Sequence, residues 1–496
     1  MRSDMEYYIG VDLGTSSVKM LLLGENGAVI KTVSEEYPII FPKPGWSEQN
    51  PKDWWNAFTN CMKKLTADID QSSVAGIGVA GQMHGLVILD DNDEVIRPVI
   101  LWNDGRTAKQ TEWLNEKIGH ESLAGYTANI AFAGFTAPKL LWIKENEPDN
   151  FAKIKKVMLP KDYINYRLTG CFATDYSDAA GMLLLDVKNK CWSRQMLDIC
   201  DITEDKLPKL YESYEKIGSL LPSVAYELGL DKDVIVVAGA GDNAAAAIGT
   251  GTIAEGKCNI SLGTSGTVFI PTDDFHSLSN NAIHNFCHSN GHYHFMGCLL
   301  SAASCNKWFC DGILETRDYA KEQADVTDNA LGKNNVFFLP YLMGERSPVN
   351  DTDARGAFVG MHLDTKREDM LLAVLEGVAF AVRDNFEIVK KQGIDIKAST
   401  LCGGGGKSPL WRKILANVLN IDIEIPFTEE GPSFGGAMLA MVGNGKYADV
   451  SACADEFVRI REVVRPDEKI VDLYDKQYQK YRMIYPALKA FFKKGV

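Results

Sequence analysis

Asp242 is the residue placed best for chemistry. It stands in VIVVAGAGDNAAAAIG, after an apolar β-branched run and a Gly-Ala-Gly turn, at the start of an alanine-rich stretch. Open α/β folds hold ligands at the mouth of such a strand-to-helix crevice, where a carboxylate can take a proton from a substrate hydroxyl. The same position also suits an N-cap aspartate, which accepts from the first free helix amides. A second acid, Asp12, introduces the turn in GVDLGTSS at 10–17. A near copy, NISLGTSG, recurs at 259–266 with Ser261 in the acid's place. The turns Gly14-Thr15-Ser16 and Gly263-Thr264-Ser265 offer small side chains and free backbone amides between strand-like runs, a geometry that cradles phosphate. One copy would read as an ordinary β-turn. A pair at corresponding places in two halves reads as a clamp on a polyphosphate, with Asp12 placed for Mg²⁺ through water.

Other polar groups gather in two short segments. GQMHG (81–85) sets Met83 and His84 between glycines, after a buried strand pattern. A lone histidine is commonly structural, but flanking glycines put this one in tight quarters. LWNDGRT (101–107) packs Trp102, Asn103, Asp104 and Arg106 together. Polar density beside a tryptophan suits sugar hydroxyls; the plainer reading is a loop closed by an Asp104–Arg106 ion pair. Two motifs mislead. CGGGGKS (402–408) resembles the end of a P-loop, but the glycine required five residues before Gly406 is Leu401. Its glycines still leave room for a flat ring such as adenine. GIGVAG (76–81) has dinucleotide-fingerprint spacing but leads into QMHGLVIL, another strand pattern rather than a helix.

The elements needed to position these residues follow from the pattern. Strands are expected at YYIGVDLG, SVKMLLLG and AVIKTVSEEYPI, and again at GKCNISLG, SGTVFIP and STLCGGGG. Helices are expected at 51–66, 138–146, 301–313 and 367–391, over SPLWRKILANVLN and GPSFGGAMLAMVGNG, and near the C-terminus. The chain has 496 residues, too many for one core. The pattern divides it into α/β domains at about 1–250 and 251–445, with a helical segment at 446–496 expected to pack back on the first. The net charge of −14 excludes a nucleic-acid surface but not an anion held locally by amides and a metal. No apolar run is long enough for a bilayer, and the charged N-terminus is no signal peptide. Eleven scattered cysteines without a C-x-x-C pair fit a reduced, cytoplasmic protein.

Together these residues resemble the FGGY carbohydrate kinases, a branch of the actin–hexokinase–Hsp70 fold. Both family signature regions are recognisable, at GFTAPKLLWIKEN (134–146) and GAFVGMHLDTKREDMLLAVLEG (356–377), and the resemblance covers essentially the whole chain. It implies two duplicated actin-like (ribonuclease H-like) domains around an interdomain cleft. It implies ATP and Mg²⁺ as co-substrate and cofactor and, from GQMHG, ILWNDGR and GDNAA, D-xylulose phosphorylated at its 5-hydroxyl. Asp242 matches the catalytic base, Asn243 its neighbour at the sugar, and Met83 and His84 the sugar-binding pair. Gly14-Thr15 and Gly263-Thr264 match the phosphate turns, and Gly404-Gly405 the adenosine motif, with Ser408 and Trp308 on the nucleotide side. The family also suggests a homodimer. Another ketose or polyol such as ribulose is the alternative substrate, and a non-catalytic sugar or nucleotide sensor is the alternative class.

Overall fold

Two hairpins start two sheets of the same design. The computed structural model describes residues 5–278, 282–428 and 430–493. In the first half β1 (Tyr7–Leu13) turns into β2 (Ser17–Gly24) and β3 (Val29–Glu36), all antiparallel. On the other side of β1 lie β4 (Val74–Gly81), parallel to it, then β6 (Ile235–Val237), and β5 (Lys216–Ser219) at the edge. The spatial order is β5-β6-β4-β1-β2-β3.

The second half repeats this. β7 (Lys257–Leu262) and β8 (Gly266–Thr272) form the hairpin, and β10 (Tyr293–Leu299) is third, with β9 (His284–Cys287) added outside it. β11 (Ala398–Cys402) runs parallel to β7, then come β12 (Asp422–Pro426) and the antiparallel edge β13 (Ile460–Val464). The fold is therefore a duplicated, mixed α/β architecture. Central strands such as β1 and β4 are buried almost throughout, as expected for parallel pairing covered on both faces.

Two helices rich in small residues pack on each other beside the first sheet. α2 (Asp242–Gly249) belongs to the first half, and α6 (Gly431–Gly443) to the second. α6 lies on β1 and β4, so the late sequence covers the early sheet. The approach is backbone to backbone. A Cβ at Gly10 would run into the Ser433 carbonyl, and one at Gly78 into that of Gly436. The second glycine of GIGVAG is thus a packing position inside a strand, not part of a nucleotide turn.

The C-terminal segment, expected to pack back on the first domain, divides between the two halves. α7 (Val450–Phe457) does join the cluster of Tyr8, Leu21 and Leu23. β13 then crosses to the second sheet, and α8 (Glu468–Phe492) packs on the second core. There Tyr474 Oη donates to buried Glu376 at 2.8 Å and Tyr478 Oη to Asp384 at 2.6 Å. The longest helix seeks the long apolar face of α4 (Arg367–Lys390), which would otherwise face water. Cys61, Cys200, Cys258 and Cys453 are buried free thiols. Among the described residues, no helix is long and apolar enough to cross a membrane.

Candidate active site

Asp242 is the first residue of α2, and Gly241 is the N-cap, which removes the capping role the sequence allowed it. Its Oδ1 accepts from the Asn243 amide at 2.7 Å and from Asn243 Nδ2 at 2.9 Å. Burial raises the carboxyl to about 6, with the Asn243 bonds opposing the rise. Asp12, at the end of β1, is raised to about 7, first by burial and then by the negative charge of Asp242. Two carboxyls from different elements thus share one field. Nearby Lys19 only partly offsets it, being paired with Glu430 at 2.7 Å.

Such a field suits a hard cation. Among the described residues no group of three or more His, Cys, Asp or Glu could hold a metal alone. Mg²⁺ takes few carboxylates and fills its remaining positions with water and phosphate oxygens, so Asp12, beside the Gly14-Thr15-Ser16 turn, would be a fitting donor.

A buried scaffold, not anticipated from sequence, fixes the turn before Asp242. Lys161 Nζ lies 2.6 Å from Asp162 Oδ1, 2.9 Å from Asp175 Oδ1 and 3.7 Å from Asp178 Oδ2, all four side chains fully buried. Asp175 Oδ2 accepts from Ser177 and from Ser213 Oγ, and Ser177 Oγ accepts the Gly241 amide at 3.2 Å. Burial holds Asp178 well above the usual carboxylate range, so the cluster does not carry three full negative charges. Single acids scattered from 162 to 178 give no periodic signal in the sequence; only the fold gathers them.

Met83 packs against Gly241, one residue before Asp242. His84 has φ 70°, a strained conformation for a non-glycine residue. Its Nδ1 lies 2.7 Å from the Gly181 carbonyl, which can only accept, so Nδ1 carries the proton. Burial, then the charge of Lys139, lowers the ring to about 3 and keeps it neutral. Nε2 is then left as an acceptor. Lys139 Nζ donates to the carbonyls of His84 and Gly134, both at 2.7 Å, and secures this conformation.

The 101–107 loop separates into two roles. Trp102 is 41% exposed, and its Nε1 donates to Thr15 Oγ1 at 3.0 Å, joining the expected sugar loop to the first Gly-Thr-Ser turn. Asn103 is exposed and accepts from Ser47 Oγ at 2.6 Å. Asp104 does not fit the expected sugar contact. Oδ1 accepts from Arg106 N and Nε, each at 2.9 Å, while Oδ2 accepts from Ser47 N at 2.6 Å and Arg106 Nη2 at 2.7 Å. Its four lone-pair positions are filled, and it is 2% exposed.

Two cavities meet at the glycines. One, of about 420 Å³, is lined by Asp242, Asn243, Ser261, Gly404, Lys407 and Arg461, among others. The other, of about 710 Å³, includes Gly263, Thr264, Gly404, Gly405 and Ser408. It also takes in Asn306, Tyr319 and Gln323, which the sequence did not single out. Ser408 lines this space with a committed hydroxyl: its oxygen caps α5 (Pro409–Leu419) through the Trp411 amide at 3.0 Å and bonds Gln323 Oε1 at 2.6 Å. Trp308, expected on the nucleotide side, lines neither cavity. Its ring stacks on Phe338 at 6.0 Å.

Two matched halves, each opening on a Gly-Thr-Ser hairpin, are the architecture of a phosphotransferase of the carbohydrate kinase class. The chain belongs to the FGGY family of carbohydrate kinases, matching the N-terminal domain over residues 7–249 and the C-terminal domain over 258–443. It is 40% identical to a xylulose kinase of Escherichia coli (strain K12), over 97% of this chain and 99% of that one. Among solved structures it superposes on a xyloylose kinase from Brucella ovis with a TM-score of 0.93 and 39% identity, covering 98% and 100% of the two chains. A gluconate kinase from Lactobacillus acidophilus gives 0.94 at 29% identity, over 99% and 100%.

Proposed function

We propose that the enzyme transfers the γ-phosphoryl group of ATP to the 5-hydroxyl of D-xylulose, giving D-xylulose 5-phosphate and ADP. The observation that carries the reaction is Asp242, a half-buried carboxyl raised to about 6 at the start of α2, lining a cavity shared by both halves. The substrate rests on identity rather than shape. Xyloylose and gluconate kinases superpose equally well, but the former and the E. coli xylulose kinase are 39–40% identical against 29% for the latter.

Asp242 accepts the proton of the 5-hydroxyl as its oxygen attacks the γ-phosphorus in line. Asn243 occupies Oδ1 of Asp242 with two hydrogen bonds and leaves Oδ2 to take that proton. Met83 supplies an apolar wall, and neutral His84 accepts a sugar hydroxyl at Nε2, while Trp102 and Asn103 close the outer side. The turns at Gly14-Thr15-Ser16 and Gly263-Thr264-Ser265 direct amides at the phosphates, and the Gly404-Gly405 cavity takes the adenosine. Asp12 is the residue that would hold Mg²⁺, which when bound neutralises charge on the phosphate oxygens. Closing the halves excludes water from the γ-phosphoryl group.

The test is ADP release over a panel of D-xylulose, D-ribulose, gluconate and glycerol. D-Xylulose should give the highest kcat/KM. A higher value for another member would reassign the substrate, and no sugar-dependent turnover at all would favour a sensor.

A further inference from the structure

His284 has a polar ring in an apolar cage. It stands on β9, in the second half of the chain, and is 1% exposed. Phe286 stacks on it at 5.2 Å with 3° between planes, Phe132 meets its edge at 4.9 Å, and Phe135 lies at 5.2 Å. Neither ring nitrogen meets a hydrogen-bond partner among the described residues. Burial, then the charge of Arg346, keeps the ring neutral, so it presents one N–H and one lone pair. A buried group with both capacities unmet costs stability, and in native proteins such a group usually answers a ligand or water.

The placement is held firmly. Asn129, from the first half, brackets the next residue: its Oδ1 accepts the Asn285 amide at 3.0 Å, and its Nδ2 donates to the Asn285 carbonyl at 2.9 Å. The cage also borders the sugar site. Phe135, which walls His284, lies 4.7 Å from the ring of His84. Arg346 sits over the Phe132 face at 5.0 Å. From Asp242 the order runs to Met83 on Gly241, His84 on Gly181, then across Phe135 to His284. His84 is only half-buried, so an oxygen can approach from its side.

We propose that His284 completes the ketose pocket from the second half of the chain, hydrogen-bonding the C1 hydroxyl, at the end of the sugar remote from the reacting 5-hydroxyl. This rests on the ketose kinase reading above. It would make sugar recognition two-sided, with His84 from one half and His284 from the other.

The experiment compares wild type, His284→Phe and His284→Gln on D-xylulose and 1-deoxy-D-xylulose. If wild type does not phosphorylate D-xylulose, the ketose reading fails and no variant is needed to say so. If it does, His284→Phe should raise the KM for D-xylulose by about 10- to 100-fold and leave the KM for ATP within about threefold. The variant should lose most of the wild-type preference for D-xylulose over the 1-deoxy sugar. Its melting temperature should hold or rise, because the ring stack stays and the unpaired nitrogens go. His284→Gln, which keeps a donor and an acceptor, should recover part of the preference. His284→Met serves the same comparison if the Phe variant does not fold. A folded apolar variant with an unchanged KM for D-xylulose, or one that weakens both ketoses equally, overturns the proposal.

Discussion

The two Gly-Thr-Ser turns share sequence and shape, yet they are anchored differently. In the first, side chains hold the carbonyls: the Thr15 carbonyl accepts from Gln49 Nε2 at 2.6 Å, that of Gly14 from Tyr37 Oη, and Trp102 reaches the Thr15 hydroxyl. In the second, backbone holds them: the Gly263 carbonyl accepts from Ala303 N at 2.8 Å, and that of Thr264 from Ala302 N at 3.0 Å. Both arrangements occupy the turn carbonyls with donors. Only the first connects to the loop expected at the sugar, and only the first has an acid beside it. On the proposed reading, the first turn would couple phosphate to sugar and the second would hold nucleotide alone.

The largest expected effect tests the acid pair itself. Asp242→Asn should lower kcat by about 10²- to 10⁴-fold. Its melting temperature should stay close to wild type, because Gly241, not Asp242, caps the helix. A kcat within about tenfold of wild type would remove Asp242 as the base. In the wild-type enzyme kcat should fall as pH drops through about 6, where Asp242 gains its proton.

Asp12→Asn asks whether the acid distinguishes the first turn as a cation site. The KM for Mg²⁺-ATP should rise by about 10- to 100-fold. Stability should move the other way. Asp12 in the folded chain titrates near 7 against an ordinary 3.8, so its ionised form is disfavoured by folding. That cost is absent below the unfolded value, grows as pH rises between the two, and is complete above 7. Without nucleotide or metal, the variant should melt higher than wild type at pH 8 and no higher at pH 3.5. Equal melting at pH 8 would show that the charge of Asp12 is already compensated in the folded chain.

The anchoring difference predicts a smaller split. Thr15→Val removes the acceptor for Trp102 and should raise the KM for both sugar and ATP by roughly three- to tenfold. Thr264→Val leaves the backbone anchors intact, so any change should be confined to ATP. A sugar effect from Thr264→Val would erase the contrast between the turns. The smallest effect should come from Trp102→Phe, which keeps an aromatic face but loses one hydrogen bond. At about 1 kcal/mol the KM for D-xylulose should rise about fivefold or less, with kcat unchanged.

Much of this was legible in the chain. The hairpins around both turns, the helix at 51–66 and the strand-turn-helix into Asp242 carry their own local signals: alternation, a proline at the first turn, a glycine pair. The strands at 284–287 and 293–299 were not read, because HNFC and YHFMGCL mix histidines into apolar runs and lack clean alternation. Asp104 was read as a ligand because its neighbours look like a sugar loop; the nearby ion pair with Arg106 proved to consume it. Trp308 and Ser408 lay near the right region, but one ring stacks away and one hydroxyl caps a helix.

By itself the sequence determined the duplicated architecture, the two turns, the single acid beside one of them and the carboxyl at the start of α2. These depend on interactions between residues close in the chain, where spacing dictates geometry. Tertiary structure alone decided the rest. It laid α6 across the first sheet, gathered Lys161 with three aspartates beneath Asp242, and set His284 behind His84. Such juxtapositions join residues as far apart as Gly10 and Ser433. They arise because apolar faces and buried charges must find partners somewhere in the folded chain, and local spacing does not record where.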